Sequence, residues 1–138
     1  MHTASVKTNF VKSYNGYTAP KIVVDDTPIK PIADVKHDTV KIIGKIGSIK
    51  RKKSSSKPYL EIYESTISDE SGEISAVWFN TPRLKYLHSG KQYIFLGKMT
   101  SRRGKVLLKS PIFTAIEDYK KWTLILDEEL RKVNSEIL

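Results

Sequence analysis

Two segments of this 138-residue chain carry cations with no acid among them. The first holds Lys41, Lys45, Lys50, Arg51, Lys52, Lys53 and Lys57; the second holds Arg83, Lys85, Lys91, Lys98, Arg102, Arg103, Lys105 and Lys109. Acids collect elsewhere, between Asp25 and Asp38, between Glu61 and Glu73, and beyond Glu117. Zoned positive charge suits a surface that meets a polyanion, because each lysine or arginine on a phosphate releases a condensed counterion. Tyr59, Tyr63, Trp78 and Phe79 lie between the two segments. An aromatic face stacks on any nucleobase for about 1–3 kcal/mol. Trp78 shares its alternating face with Ile74 and Ala76 and is assigned to the core, which leaves Tyr59, Tyr63 and Phe79 as candidate platforms.

Other chemistries lack their residues. There is no cysteine, so no disulfide framework, zinc ribbon or thiol nucleophile can be built. His2, His37 and His88 stand far apart, without metal-ligand spacing, and are read as surface residues. Asp69 and Glu70 belong to a turn, and no nucleophile–base pair emerges from the spacing, so neither an enzyme, a metal nor a cofactor is expected. The start of the chain has no apolar stretch of the kind that targets a protein for export, and no run approaches membrane-spanning length. A cytoplasmic protein with no membrane partner is expected. Lysine and arginine number 24 against 15 acids, a formal net charge of +9, which again points to nucleic acid.

Turn and strand signals supply the elements that must position these residues. Residues 1–26 read as a polar arm with Asn15-Gly16 and Pro20, in which Lys21–Val24 is predicted as a short strand. Pro28 and Pro31 then bar a helix or central strand. Apolar residues alternate from Val40 to Ile49, with Gly44 and Gly47 marking a bend. Arg51–Lys57 is predicted as a flexible basic loop. Strands follow at Tyr59–Ser68 and Ile74–Phe79, joined by a hairpin turn at Asp69–Gly72 in which Gly72 is expected at positive φ. Asn80 is predicted to cap a short helix over Pro82–His88 that Gly90 ends. Further strands at Tyr93–Lys98 and Val106–Phe113, the second interrupted by Pro111, flank an arginine-loaded turn at Thr100–Gly104. Beyond Glu117, the residues Tyr119, Trp122, Leu126, Leu130, Val133 and Ile137 recur at helical spacing.

Three strands, a short helix and two more strands form the order of a five-stranded OB-fold barrel, all-β apart from its accessory helices. An SH3-like barrel has no comparable inserted helix. The ligand face of an OB-fold is that of strands two and three, flanked by the loop between strands one and two and the loop between strands four and five. Lys50, Arg51, Lys52, Lys53 and Lys57 fall at the first loop. Arg102, Arg103 and Lys105 fall at the second, with Tyr59, Tyr63 and Phe79 on the strands between.

The run from Val77 through Phe79-Asn80, Pro82, Arg83 and Leu84 to Leu87, followed by Gly90–Lys98, resembles the OB-fold wedge domain of the branch-migration helicase RecG. Ile29–Val35 and Gly104–Phe113 are also similar, so the likeness covers residues 27–116. It implies a wedge at a DNA fork, with Phe79 stacked on a base where the strands part. A second family aromatic is replaced here by Arg83, whose guanidinium can stack on a base or hold a phosphate. The motor domains and their phosphate-binding loop have no counterpart, which leaves a stand-alone relative of the wedge or a piece of a larger protein; the tail past residue 116, read as a packing helix instead of a linker, favours the first.

The domain organisation expected is an arm at 1–26, a nucleic-acid-binding barrel at 27–116 and a helix at 117–138. The function expected is binding of single-stranded or forked DNA in replication, recombination or mobile-element transfer. RNA binding fits the same charge and aromatics. A protein-interaction adaptor is the third reading, the helix docking a replication or recombination protein or a second copy.

Overall fold

The computed structural model describes residues 13–14, 17–36, 38–54, 56–57 and 59–137. His2 and His37, the arm to residue 12, Asn15-Gly16 and Ser55 lie outside these, and for Leu130, Val133 and Ile137 only the backbone is described. The described residues form two compact units, one from residues up to Asp26 together with those from Thr114 onward, the other Thr27–Phe113.

In the first unit β1 (Ser13–Tyr14) pairs antiparallel with β2 (Tyr17–Thr18). Lys21–Val24 is not the predicted strand but a single turn of helix, α1. The Pro20 carbonyl accepts the N–H groups of Val23 (3.0 Å) and Val24 (3.3 Å), and the adjacent Ile22 and Val23 are both buried. A strand would have turned one of those two side chains away from the other's face; a helical turn packed on α2 (Ile116–Ile137) buries both. The predicted apolar stripe of α2 contributes Leu126, which is fully buried.

The second unit is the barrel. Its strands are β3 (Thr39–Ile46), β4 (Lys50–Lys53), β5 (Glu61–Asp69), β6 (Gly72–Phe79), β7 (Gln92–Arg102) and β8 (Lys105–Ala115). They follow the order β3-β7-β8-β6-β5-β4, and β3 also pairs with β5, so the sheet closes on itself. The predicted first strand, Val40–Ile49, ends at Ile46 as β3, which pairs with β7, and past Gly47 the chain continues as β4, which pairs with β5. Closure needs backbones to touch. A Cβ on Gly44 would lie 2.6 Å from Ile67 Cγ2 and 2.9 Å from the Ser68 carbonyl oxygen, and one on Gly47 would lie 2.8 Å from Thr66 Oγ1. The two glycines therefore let the first strand cross the second. The opposite seam is the parallel pair β6–β8, with Ala76 beside Leu108 and Val77 beside Lys109.

Trp78 lies in the core as predicted, 1% exposed, with its indole N–H donating to the Pro111 carbonyl at 2.9 Å. Pro111 does not interrupt the last strand: β8 runs through it, with Ser110 at φ 45° forming the local kink. Tyr93 packs edge-on against Phe95 and Phe113, ring centroids 6.0 and 5.9 Å away.

Two polar clips hold the barrel. At one end Asp69 Oδ2 accepts the Ile32 N–H (2.9 Å), while Oδ1 accepts the N–H groups of Ser71 (2.7 Å) and Gly72 (3.1 Å) and the Ser71 hydroxyl (2.6 Å). The β5–β6 turn is built by this carboxylate, and Gly72 takes the expected positive φ, 159°. At the other end Asn80, expected to cap a helix, sits at φ 45° with its side-chain oxygen on the Glu61 N–H (2.7 Å) and its own N–H on the Glu61 carbonyl (2.9 Å). The N-cap is Thr81, and the helix is a 3-10 turn, Pro82–Tyr86, shorter than predicted.

Partial burial pushes the Asp69 carboxyl up, but the Ser71 hydroxyl and the three backbone N–H groups outweigh it and hold the group below its usual value. A carboxyl depressed in the folded state adds stability above its unfolded pKa and loses it as pH falls through its folded one. Asp69→Asn is expected to lower stability at neutral pH by about 1–2 kcal/mol and to flatten the acid limb of stability against pH, read by urea melts from neutral to acid pH. Asn80→Ala is expected to destabilise by about 2 kcal/mol, losing a hydrogen bond and adding left-handed strain, and Asn80→Gly by about half that, because glycine keeps the backbone angle.

Candidate nucleic-acid interface

The basic stretch predicted as a loop is half strand. Lys50–Lys53 pairs with β5, Lys50 opposite Glu64, Arg51 opposite Tyr63, Lys52 opposite Ile62 and Lys53 opposite Glu61. No apolar residue marks it as a strand; its edge comes from β5. Side chains alternate across a strand, so the four cations divide. Lys50 and Lys52 share a face with Ile62 and Glu64, and across β6 with Phe79 and Val77, whereas Arg51 and Lys53 share a face with Glu61, Tyr63 and Trp78. The structure thus does not bring Tyr63 and Phe79 into one trough.

Tyr63 donates its hydroxyl to Glu61 Oε2 at 2.7 Å, and the other Glu61 oxygen pairs with the Arg51 guanidinium. The Tyr63 hydroxyl, and then the Arg51 charge, hold the Glu61 carboxyl below its usual range against the opposing effect of burial; the Glu61 acceptor in turn pushes the Tyr63 phenol up. Lys52 Nζ lies 2.9 Å from Glu64 Oε2. Both ion pairs are exposed, and pairs of that kind hold weakly enough for a phosphate to replace the carboxylate.

The second basic site is a ribbon. β7 pairs with β3 only as far as Lys98, and Ser101–Val106 are all exposed. Its turn narrows from the predicted Thr100–Gly104 to Arg103-Gly104, with φ values of 52° and 76°. Those angles match the twist of a tight two-residue hairpin, a place ordinarily taken by Asn, Asp or Gly. Extending the β6–β8 register back from Ala76–Leu108 sets Lys105 level with Glu73. Asn80, by contrast, is bonded to Glu61, where β5 leaves the first loop. The two cationic sites therefore lie at opposite ends of β6, about 20 Å apart at 3.3 Å per residue. Lys105 and Lys109 fall on the Phe79 side of the sheet by the same register.

Lys57 and Tyr59 sit exposed in the first loop, Tyr59 at 76%. Phe79 is half-buried at the end of β6, and Arg83 is exposed one turn beyond it. Sequence reasoning missed Lys109, legible as the continuation of the Lys105 alternation. Tyr86, in the short helix expected over Pro82–His88, is 59% exposed and stands three residues from Arg83. Among the described residues no cluster of three or more His, Cys, Asp or Glu could hold a metal ion, and no helix is long and apolar enough to cross a membrane.

The model of the RecG wedge domain family matches residues 16–129. No curated protein sequence matches the chain. A RecG structure bound to a three-way DNA junction is similar at 26% identity and a TM-score of 0.57, over 67% of this chain and 13% of that one. The OB domain of a Thermoplasma acidophilum protein is similar at 20% identity and TM-score 0.55, over 65% of this chain and 88% of that one. The second OB-fold domain of replication protein A from Methanococcus maripaludis is similar at 12% identity and TM-score 0.51, over 65% and 96%. These last two share the fold. With a family match over most of its length and a closed OB-fold barrel beneath it, the chain belongs to the RecG wedge domain family.

Proposed function

We propose that the barrel binds nucleic acid, single-stranded or forked DNA foremost, as a module of replication, recombination or element transfer without catalysis of its own. The observation that carries this is the pair of cationic sites at opposite ends of β6. A strand laid across the Phe79 face meets phosphate ligands at both rims: Lys50 and Lys52, with Lys57 of the adjoining loop, on one side, Arg102, Arg103 and Lys105 on the other. The similarity to a RecG solved on a three-way DNA junction supports branched DNA as a ligand. Phe79, half-buried at the end of β6, is the residue proposed to meet a base where two strands separate.

Anisotropy titrations against single-stranded, duplex and forked DNA and single-stranded RNA, at two salt concentrations, test this. Fork and single strand are expected to bind more tightly than duplex, and Phe79→Ala to reduce the fork preference. Arg102→Ala with Arg103→Ala is expected to weaken every ligand and to reduce the single-strand salt slope by about 1.4, the value for two lost phosphate contacts. No binding at low salt sinks the proposal, and tighter binding of RNA than DNA moves it to RNA. Arg103 adds a second check, because a left-handed arginine costs about 1–2 kcal/mol. Arg103→Asn is expected to raise the melting midpoint while weakening binding, an opposite movement that a purely structural arginine would not give.

A further inference from the structure

We infer that Tyr86 is a nucleobase-stacking residue of this surface, beside Arg83; the inference rests on the nucleic-acid reading above. The 3-10 turn Pro82–Tyr86 buries Leu84 and, just past its end, Leu87, each 6% exposed, yet leaves Tyr86 59% exposed. Its ring thus adds little to the core. Its backbone, however, is fixed. Tyr93, 4% exposed, donates its hydroxyl to the Tyr86 carbonyl (3.2 Å) and accepts the His88 N–H (2.9 Å). An aromatic ring on a clamped backbone loses little conformational freedom when a base lies on it.

The surroundings are those of a strand-binding site. In a 3-10 helix residues three apart eclipse, so Arg83 and Tyr86 share a face. Lys85 Nζ lies over one face of the Tyr86 ring, 5.2 Å from its centroid; a base stacking on the opposite face keeps this cation-π contact, and one stacking on the same face displaces the flexible ammonium toward its own phosphate. A base in a duplex is already stacked within its own strand, so the ring selects unpaired nucleotides.

The test uses the full chain with a labelled oligothymidylate of about 12 nucleotides, an abasic oligomer of equal length, and a duplex, all at matched salt. Tyr86→Leu is expected to weaken the thymidylate roughly 10-fold, and to leave the abasic oligomer, the duplex and the salt slope unchanged. Tyr86→Phe and Tyr86→Trp are expected to keep wild-type affinity. Unchanged melting of Tyr86→Leu separates stacking from a folding defect. Wild-type binding that Tyr86→Leu does not alter, or that it weakens equally for both oligomers, overturns the stacking role and leaves the nucleic-acid reading standing. Failure of the wild type to bind any of the three overturns both.

Discussion

The crossing of β3 over β5 is the constraint on which the barrel depends. One chain segment must serve β7 with its first half and β5 with its second, and it can do so only where two backbones approach more closely than any side chain permits. Gly44 and Gly47 occupy those positions. Because the ring closes there and at the parallel β6–β8 seam, β5 and β6 present one face to a filled interior and the other outward. A sheet left open would have exposed an edge to self-association instead.

Charge is laid over this frame by two different devices. At the first rim, cations ride on β4 and are steadied by carboxylates on the neighbouring strand, Glu61 and Glu64, in pairs loose enough to exchange. At the second, they ride on a ribbon that runs past the end of β3 and turns through a left-handed arginine. That angle opposes stability, and a tip held there keeps Arg103 clear of the sheet. The two rims share β6 as a common ruler, so their separation follows from strand length. At the first rim the Asn80–Glu61 clip fixes where β6 ends, and with it the position of Phe79.

Much of this was legible in the residues. Alternation marked the barrel strands, Trp78 declared itself core by sharing a phase with Ile74 and Ala76, and paired glycines announced the bend. The readings that failed did so where local pattern is silent. Four successive cations at Lys50–Lys53 have no hydrophobic period, and their strand exists because β5 offers a partner. Ile22-Val23 favours a strand by propensity but was decided by packing against α2. Asn80 resembles a cap, yet its side chain answers to Glu61, nineteen positions earlier in the chain and adjacent only in the fold.

By itself, the sequence determined the barrel and the zoning of its charge, because periodicity, glycine placement and charge runs are written locally along the chain, and the short motif around Phe79-Asn80 carried the likeness to its family. Only the tertiary structure decided that Tyr63 and Phe79 face opposite ways, that the cations of β4 divide between two faces, and that Tyr86 stands outside the core. Each of these depends on register between strands or on a helix narrowing from 3.6 to three residues per turn, and a shift of one residue in either reverses which way a side chain points.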